Sequence, residues 1–112
     1  MTRLQRECDP VFARVDKLLA LLTKSKLLHI LYVLNAKQQP LRFTEIKQIV
    51  GSSSTTISRR LDELENNGLV TRTVIGTYPK TVEYSMTEDA LCLAPCIQSM
   101  YDWVVERDVT LP

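Results

Sequence analysis

The sequence predicts a mainly α-helical domain that carries a small β-hairpin near its C-terminal end. Three observations predict it. Apolar residues recur at helical spacing along five segments. A short helical segment and a longer one are separated only by a Gly-Ser-Ser turn. Directly after the longer one, the pattern changes to β-branched residues in two runs divided by a Gly/Pro turn.

Asp9-Pro10 opens the first helix, because Asp caps well and Pro is tolerated at the first helical position. Val11, Val15, Leu18, Leu19 and Leu22 then recur on one face, and Thr23 to Ser25 break the pattern. A second helix places Leu27, Leu28, Leu31 and Leu34 toward the core, and residues 35–40 form a polar loop ending in Pro40. Thr44 is expected to cap a short third helix with Ile46, Ile49 and Val50 inward. After the turn at Gly51, a fourth helix is expected over about 54–67, with Ile57, Leu61 and Leu64 inward and Gly68 stopping it. Residues 69–75 and 81–86 read as paired strands around a turn at 76–80. Thr87 caps a final helix whose early acids, Glu88 and Asp89, suit its dipole. Its apolar side is Leu91, Ala94, Ile97, Tyr101, Val104 and Val105, and Pro95 predicts a kink or a restart.

With 112 residues, 45% hydrophobic and 24% charged, the chain is expected to be one domain over 1–112, with any sensing built into it. The apolar stretch from Leu18 to Leu34 is interrupted by Lys24, Ser25 and Lys26, so no membrane span is expected. Residues 1–7 lack the apolar run of a secretory signal. Three cysteines, an odd number, argue against a disulfide framework and fit a reducing compartment; a cytoplasmic protein is expected. Net charge is only +1, but it is unevenly spread. Residues 1–47 carry nine Lys/Arg and four Asp/Glu, whereas residues 82–112 carry one Arg and six acids. A basic side facing nucleic acid and an acidic side turned away would give this pattern, and so would unrelated solvated helix faces.

A short helix, a tight turn and a second helix make a helix-turn-helix, and the hairpin that follows makes it winged. Such proteins place the second helix in the major groove with its N-terminal residues at base edges. Projection of the fourth helix puts Thr55, Thr56, Arg59, Asp62 and Asn66 outward with Arg60 on the flank. Ser54, Thr55, Thr56, Ser58, Arg59 and Arg60 are therefore the candidate DNA contacts of this helix, Arg59 as a bidentate partner for guanine. Tyr78 and Lys80 at the hairpin tip, Arg72 on its first strand and Arg42 before the third helix are candidates for phosphates or the minor groove. The expected function is sequence-specific binding of double-stranded DNA. The alternative is a winged-helix module that binds protein.

The segments 43–46 (Phe-Thr-Glu-Ile), 61–72 (Leu-Asp-Glu-Leu-Glu-Asn-Asn-Gly-Leu-Val-Thr-Arg), Pro79, Val82-Glu83-Tyr84, Thr87-Glu88 and Leu93-Ala94-Pro95, with the early Cys8, resemble HxlR-type winged-helix regulators across residues 8–105. The resemblance implies a homodimer paired through the first and last helices, a pseudo-palindromic operator, and regulation of nearby genes. Arg3, Arg6, Arg14 and Lys17 could then meet Asp102, Glu106 and Asp108 of the same or the partner chain. The chain departs from the family pattern in having Lys24-Ser25-Lys26-Leu27 where Gly-Lys-Trp usually opens the second helix, and Asp9 between Cys8 and Pro10.

Cys8 precedes a helix N-terminus, an environment that favours thiolate, and the resemblance implies a redox-sensing role; the other reading is a packed thiol at the dimer seam. Cys92 and Cys96 have a spacing that could hold a metal, but partners for a four-ligand site are lacking, and they read as buried small hydrophobes. His29 reads as an interior or interface residue. No metal, cofactor or catalytic signature is expected.

Overall fold

The computed structural model describes residues 10–112. Helix α1 runs Pro10–Leu22 and α2 Leu27–Lys37. A two-residue strand β1, Leu41–Arg42, leads into α3, Phe43–Val50. Helix α4 spans Ser54–Asn66, strands β2 and β3 span Val70–Ile75 and Thr81–Met86, and α5 spans Glu88–Arg107. The sheet is antiparallel and three-stranded, in the order β1-β3-β2.

The core is built from α2, α3, α4, the sheet and the first half of α5. Leu27, Ile30, Ile46, Ile57 and Leu64 are fully buried, and Leu31, Leu41 and Leu61 nearly so. Each apolar side chain of this size contributes roughly 1.5–3 kcal/mol when buried. Helix α1 is different. Only its last two residues, Leu21 and Leu22, are buried, and it meets α2 at 86°. Val11, Phe12, Val15 and Leu19 remain substantially exposed, so of the first helix's apolar set only Leu22, with Leu18 packed beside it, reaches this chain's own core.

Several local expectations change. The second helix extends through Lys37, shortening the expected loop. Leu28 is half-buried, while Ile30 and Val33 join the core. The cap of α3 is Arg42, whose backbone N–H donates to the Glu45 carboxylate at 3.0 Å; Thr44 lies inside the helix. Ile49 is 43% exposed and Ile46 and Val50 alone of that trio are buried. Helix α5 is continuous through Pro95 rather than restarting there. Cys92 and Cys96 are exposed, not buried. His29 is also exposed. Cys8, the Asp9 cap, Arg3 and Arg6 lie outside the described residues.

The junction between α3 and α4 is set by Gly51. Its φ is +71°, and its N–H donates to the Lys47 carbonyl at 2.8 Å, closing α3 in a left-handed residue that suits glycine. Ser53 then caps α4 by accepting from the Thr56 N–H at 3.2 Å. At the other end of α4 the chain turns at Gly68. The Thr87 hydroxyl donates to the Gly68 carbonyl at 2.7 Å and accepts from the Ala90 N–H at 3.2 Å, so one side chain caps α5 and ties it to the end of α4.

Candidate nucleic-acid interface

Helix α4 owes its orientation to one buried face, Ile57, Leu61 and Leu64, seated on the core. The opposite face is left to solvent. There Ser54, Thr55, Ser58, Arg59 and Asp62 line an open depression together with Phe43 of α3. All five polar residues are exposed. Three hydroxyls and a guanidinium thus cluster in the first half of the helix, with the carboxylate of Asp62 marking the end of the cluster.

Two of the sequence-predicted residues are placed differently. Thr56 is half-buried, and its hydroxyl accepts from the Ser53 hydroxyl at 3.0 Å within the cap. Arg60 turns back toward the protein, its Nε 2.8 Å from Glu63 Oε1 and its side chain 13% exposed. The other oxygen of Glu63 takes Lys24 Nζ at 2.5 Å. This three-residue cluster joins the α1–α2 turn to the second half of α4. The hydrogen bond from Lys24, with the nearby positive charges of Arg60, Lys24 and Arg59, holds the Glu63 carboxyl below the ordinary carboxylate range, against a smaller opposing effect of burial. Sequence periodicity put Arg60 on the flank of the helix. It gave no sign of Lys24 as a partner of Glu63, 39 residues away in sequence.

The wing is the β2–β3 hairpin. Ile75 pairs with Thr81, leaving residues 76–80 as its tip. Gly76 turns that tip with φ +79°, and a Cβ there would come within 3.1 Å of the Pro79 carbonyl oxygen. Tyr78 is fully exposed and Lys80 is exposed beside it. Arg72 and Arg42 are both exposed but belong to opposite sheet faces. Arg72 pairs in register with the buried Tyr84, and Arg42 pairs with Glu83. Directly opposed residues share a face, so Arg72 emerges on the core-facing side and Arg42 on the outer side, beside an acid.

A second surface lies between α2 and α5. Leu28, His29 and Tyr32 of α2 and Ile97, Met100, Tyr101 and Val104 of α5 line an open, largely apolar groove. Tyr32 and Tyr101 stack across it with ring centroids 5.2 Å apart and an interplanar angle of 26°. Trp103 and Val105 continue the exposed apolar surface of α5. Among the described residues, neither Arg14 nor Lys17 pairs with Asp102, Glu106 or Asp108; the ion pairs are the two at Glu63. Asp102 instead accepts from the Gln98 amide at 3.0 Å. No group of three or more His, Cys, Asp or Glu among the described residues is arranged to hold a metal. No single described helix is long and apolar enough to cross a membrane.

The model of the family described as HxlR-like helix-turn-helix matches residues 21–109. An HTH-type transcriptional regulator of Halalkalibacterium halodurans is 40% identical over 70% of this chain and 69% of its own. Among solved structures, the reduced form of the transcriptional regulator YodB from B. subtilis is similar with a TM-score of 0.73 and 32% identity, over 86% of this chain and 90% of that one. The reduced form of the redox regulator HypR is similar with a TM-score of 0.73 and 30% identity, over 85% and 93%.

Proposed function

The chain belongs to the HxlR-like helix-turn-helix family and is a transcriptional regulator of helix-turn-helix type; from that premise we propose that it acts as a homodimer on a pseudo-palindromic DNA operator. The observation that carries the reading is the exposed cluster of Ser54, Thr55, Ser58 and Arg59 at the entering end of α4. In the major groove, Arg59 donates two hydrogen bonds to a guanine edge, and the hydroxyls bond phosphates or adjacent base edges. Asp62 lies where the helix leaves the groove. Tyr78 and Lys80 at the wing tip reach the neighbouring backbone or the minor groove, and Arg72 and Arg42 add phosphate contacts from the two sides of the sheet. Arg60 and Thr56 act inside the protein, setting the pose of the helix.

The exposed apolar stripe on α1 and the groove beside α5 support the dimer. A monomer rarely leaves so much contiguous apolar surface uncovered. In the dimer, α1 and α5 pair across the two-fold axis, and Arg14 and Lys17 find the acids of α5 on the partner chain. Two recognition helices one DNA turn apart would read half-sites about 10 base pairs centre to centre.

We also propose that Cys8 responds to thiol oxidants. YodB has been solved in a reduced and a diamide-treated form, and HypR is a redox regulator. Diamide should release the wild-type protein from its operator and leave Cys8→Ser bound. Equal responses would sink this part of the reading.

The test of DNA reading is selection from random duplex DNA, followed by binding across a salt series. An inverted-repeat winner whose affinity falls steeply with salt supports the proposal. Arg59→Ala should weaken it by about 1–3 kcal/mol and relax the preference at one base position. An unenriched pool with weak binding would point to a protein partner instead.

A further inference from the structure

We propose that Cys92 and Cys96 form a two-sulfur site on the outer face of α5 that chelates a trivalent arsenic centre bearing one organic group. Both thiols are free and exposed. In α5 the buried residues are Ala90, Ala94 and Ile97. At 3.6 residues per turn, Cys92 and Cys96 lie about 40° apart on the side away from that face. Neither thiol has a hydrogen-bond or ion-pair partner among the described residues.

Geometry decides what such a pair can hold. Residues four apart on a helix have Cβ atoms roughly 5–6 Å apart. A disulfide needs Cβ atoms roughly 3.5–4.5 Å apart, so the two sulfurs cannot bond directly while the helix persists. Each sulfur sits one bond beyond its Cβ, and rotation about χ1 brings both onto one large atom between them. Ligand number decides the rest. A closed zinc site wants four protein ligands, and no third His, Cys, Asp or Glu is at hand among the described residues. A mono-organic arsenic(III) centre needs only two sulfurs, its third position being held by carbon. Attack on peroxide draws on cationic neighbours that favour thiolate. Helix α5 carries no Lys or Arg before Arg107.

The condensation balances without a redox partner. The organoarsenic dihydroxide loses two As–O bonds and gains two As–S bonds. The two thiol protons leave with the two hydroxyls as two molecules of water, and arsenic stays trivalent. Pro95, between the two cysteines, has no N–H to hold the Leu91 carbonyl, which lets this turn adjust to the bridge.

Phenylarsine oxide and the full chain, fully reduced, test the site. One equivalent should consume two of the three thiols, and intact mass under denaturing conditions should show one phenylarsenic on one chain. Cys92→Ser and Cys96→Ser should each weaken binding roughly 100-fold, the loss expected when a two-point attachment becomes one-point. Cys8→Ser should bind as the wild type does. A small 1,2-dithiol should strip the adduct, and a monothiol at equal thiol concentration should not. Three results would overturn the proposal: an adduct lost in Cys8→Ser, two chains bridged by one arsenic, or single Cys92 or Cys96 variants that bind undiminished. Circular dichroism of the exposed-site variants separates lost binding from lost folding.

Discussion

Glu63 holds two cations at once, and the consequence is a stability that depends on acid. Its carboxyl is depressed chiefly by the hydrogen bond from Lys24. A group with a depressed folded pKa contributes stability that is present above its unfolded value, about 4.3 for Glu, and lost as pH falls through the lower folded value. Glu63→Gln should therefore melt at a lower temperature than the wild type near neutrality. The gap should close as pH falls below about 4, and it should also narrow in high salt, because Lys24 is 43% exposed. Melting curves of both proteins from neutral to acidic pH check this; a constant gap throughout would show that the cluster is ornamental. Four of the five residues expected on the outward row of α4, Thr55, Arg59, Asp62 and Asn66, were legible from period alone, because Ile57, Leu61 and Leu64 fix which face is left over; Thr56 is drawn into the cap instead. The cluster around Arg60 was not: its partner Glu63 lies three residues on in the same helix, but Lys24, which completes the cluster on Glu63, comes from a turn brought near only by the tertiary fold. The cysteines of α5 were misjudged for the same kind of reason. Cys is a small apolar residue that is usually buried, and which side of a long helix faces out depends on what packs beside it.

The elements are joined by a few short connections whose chemistry is local. Gly51 closes α3 in a left-handed conformation with open space around the missing Cβ, so Gly51→Ala should cost about 1–2 kcal/mol from backbone conformation alone. Urea denaturation measures it, and an unchanged midpoint would remove the left-handed requirement. Thr87→Ala should cost about 1–2 kcal/mol, since it removes a helix cap together with the bond to Gly68. Thr87→Ser should recover most of that loss. The helix order, the wing, the turn at Gly51 and the cap at Thr87 follow from Gly, Ser and Thr at the ends of periodic runs; the bond from Thr87 to Gly68, 19 residues back, does not. Strand β1 does not. Two residues are too few to show an alternation, and Leu41 reads as an isolated apolar residue after Pro40. Only the pairing of Leu41 with Tyr84 makes it a strand. Pro95 was expected to kink α5 or restart it; the helix does not restart but runs through it, with Ala94 and Ile97 buried on either side.

At the scale of the molecule, the chain extends 58 × 34 × 24 Å. Its radius of gyration, 16.3 Å, exceeds the roughly 13 Å expected of a compact domain this size. The long α5, exposed in its second half, and α1, which meets α2 at 86° and offers Val11, Phe12, Val15 and Leu19 to solvent, both extend it. Periodicity announced α1 correctly but could not say whose core its apolar face enters. If a second copy supplies it, Val15→Glu should shift the protein to monomers in sedimentation while leaving its helical content intact. Charge reversal of both Asp102 and Glu106 to Lys should weaken the dimer at low salt; dimers as stable as wild type would deny the ion pairs a role. The same geometry has an optical consequence. Trp103 is the only tryptophan of the chain and stands half-exposed on α5, two residues from the stacked tyrosine Tyr101. Its fluorescence should shift to the blue and resist iodide quenching as copies come together. A single native tryptophan then reports assembly with no label attached.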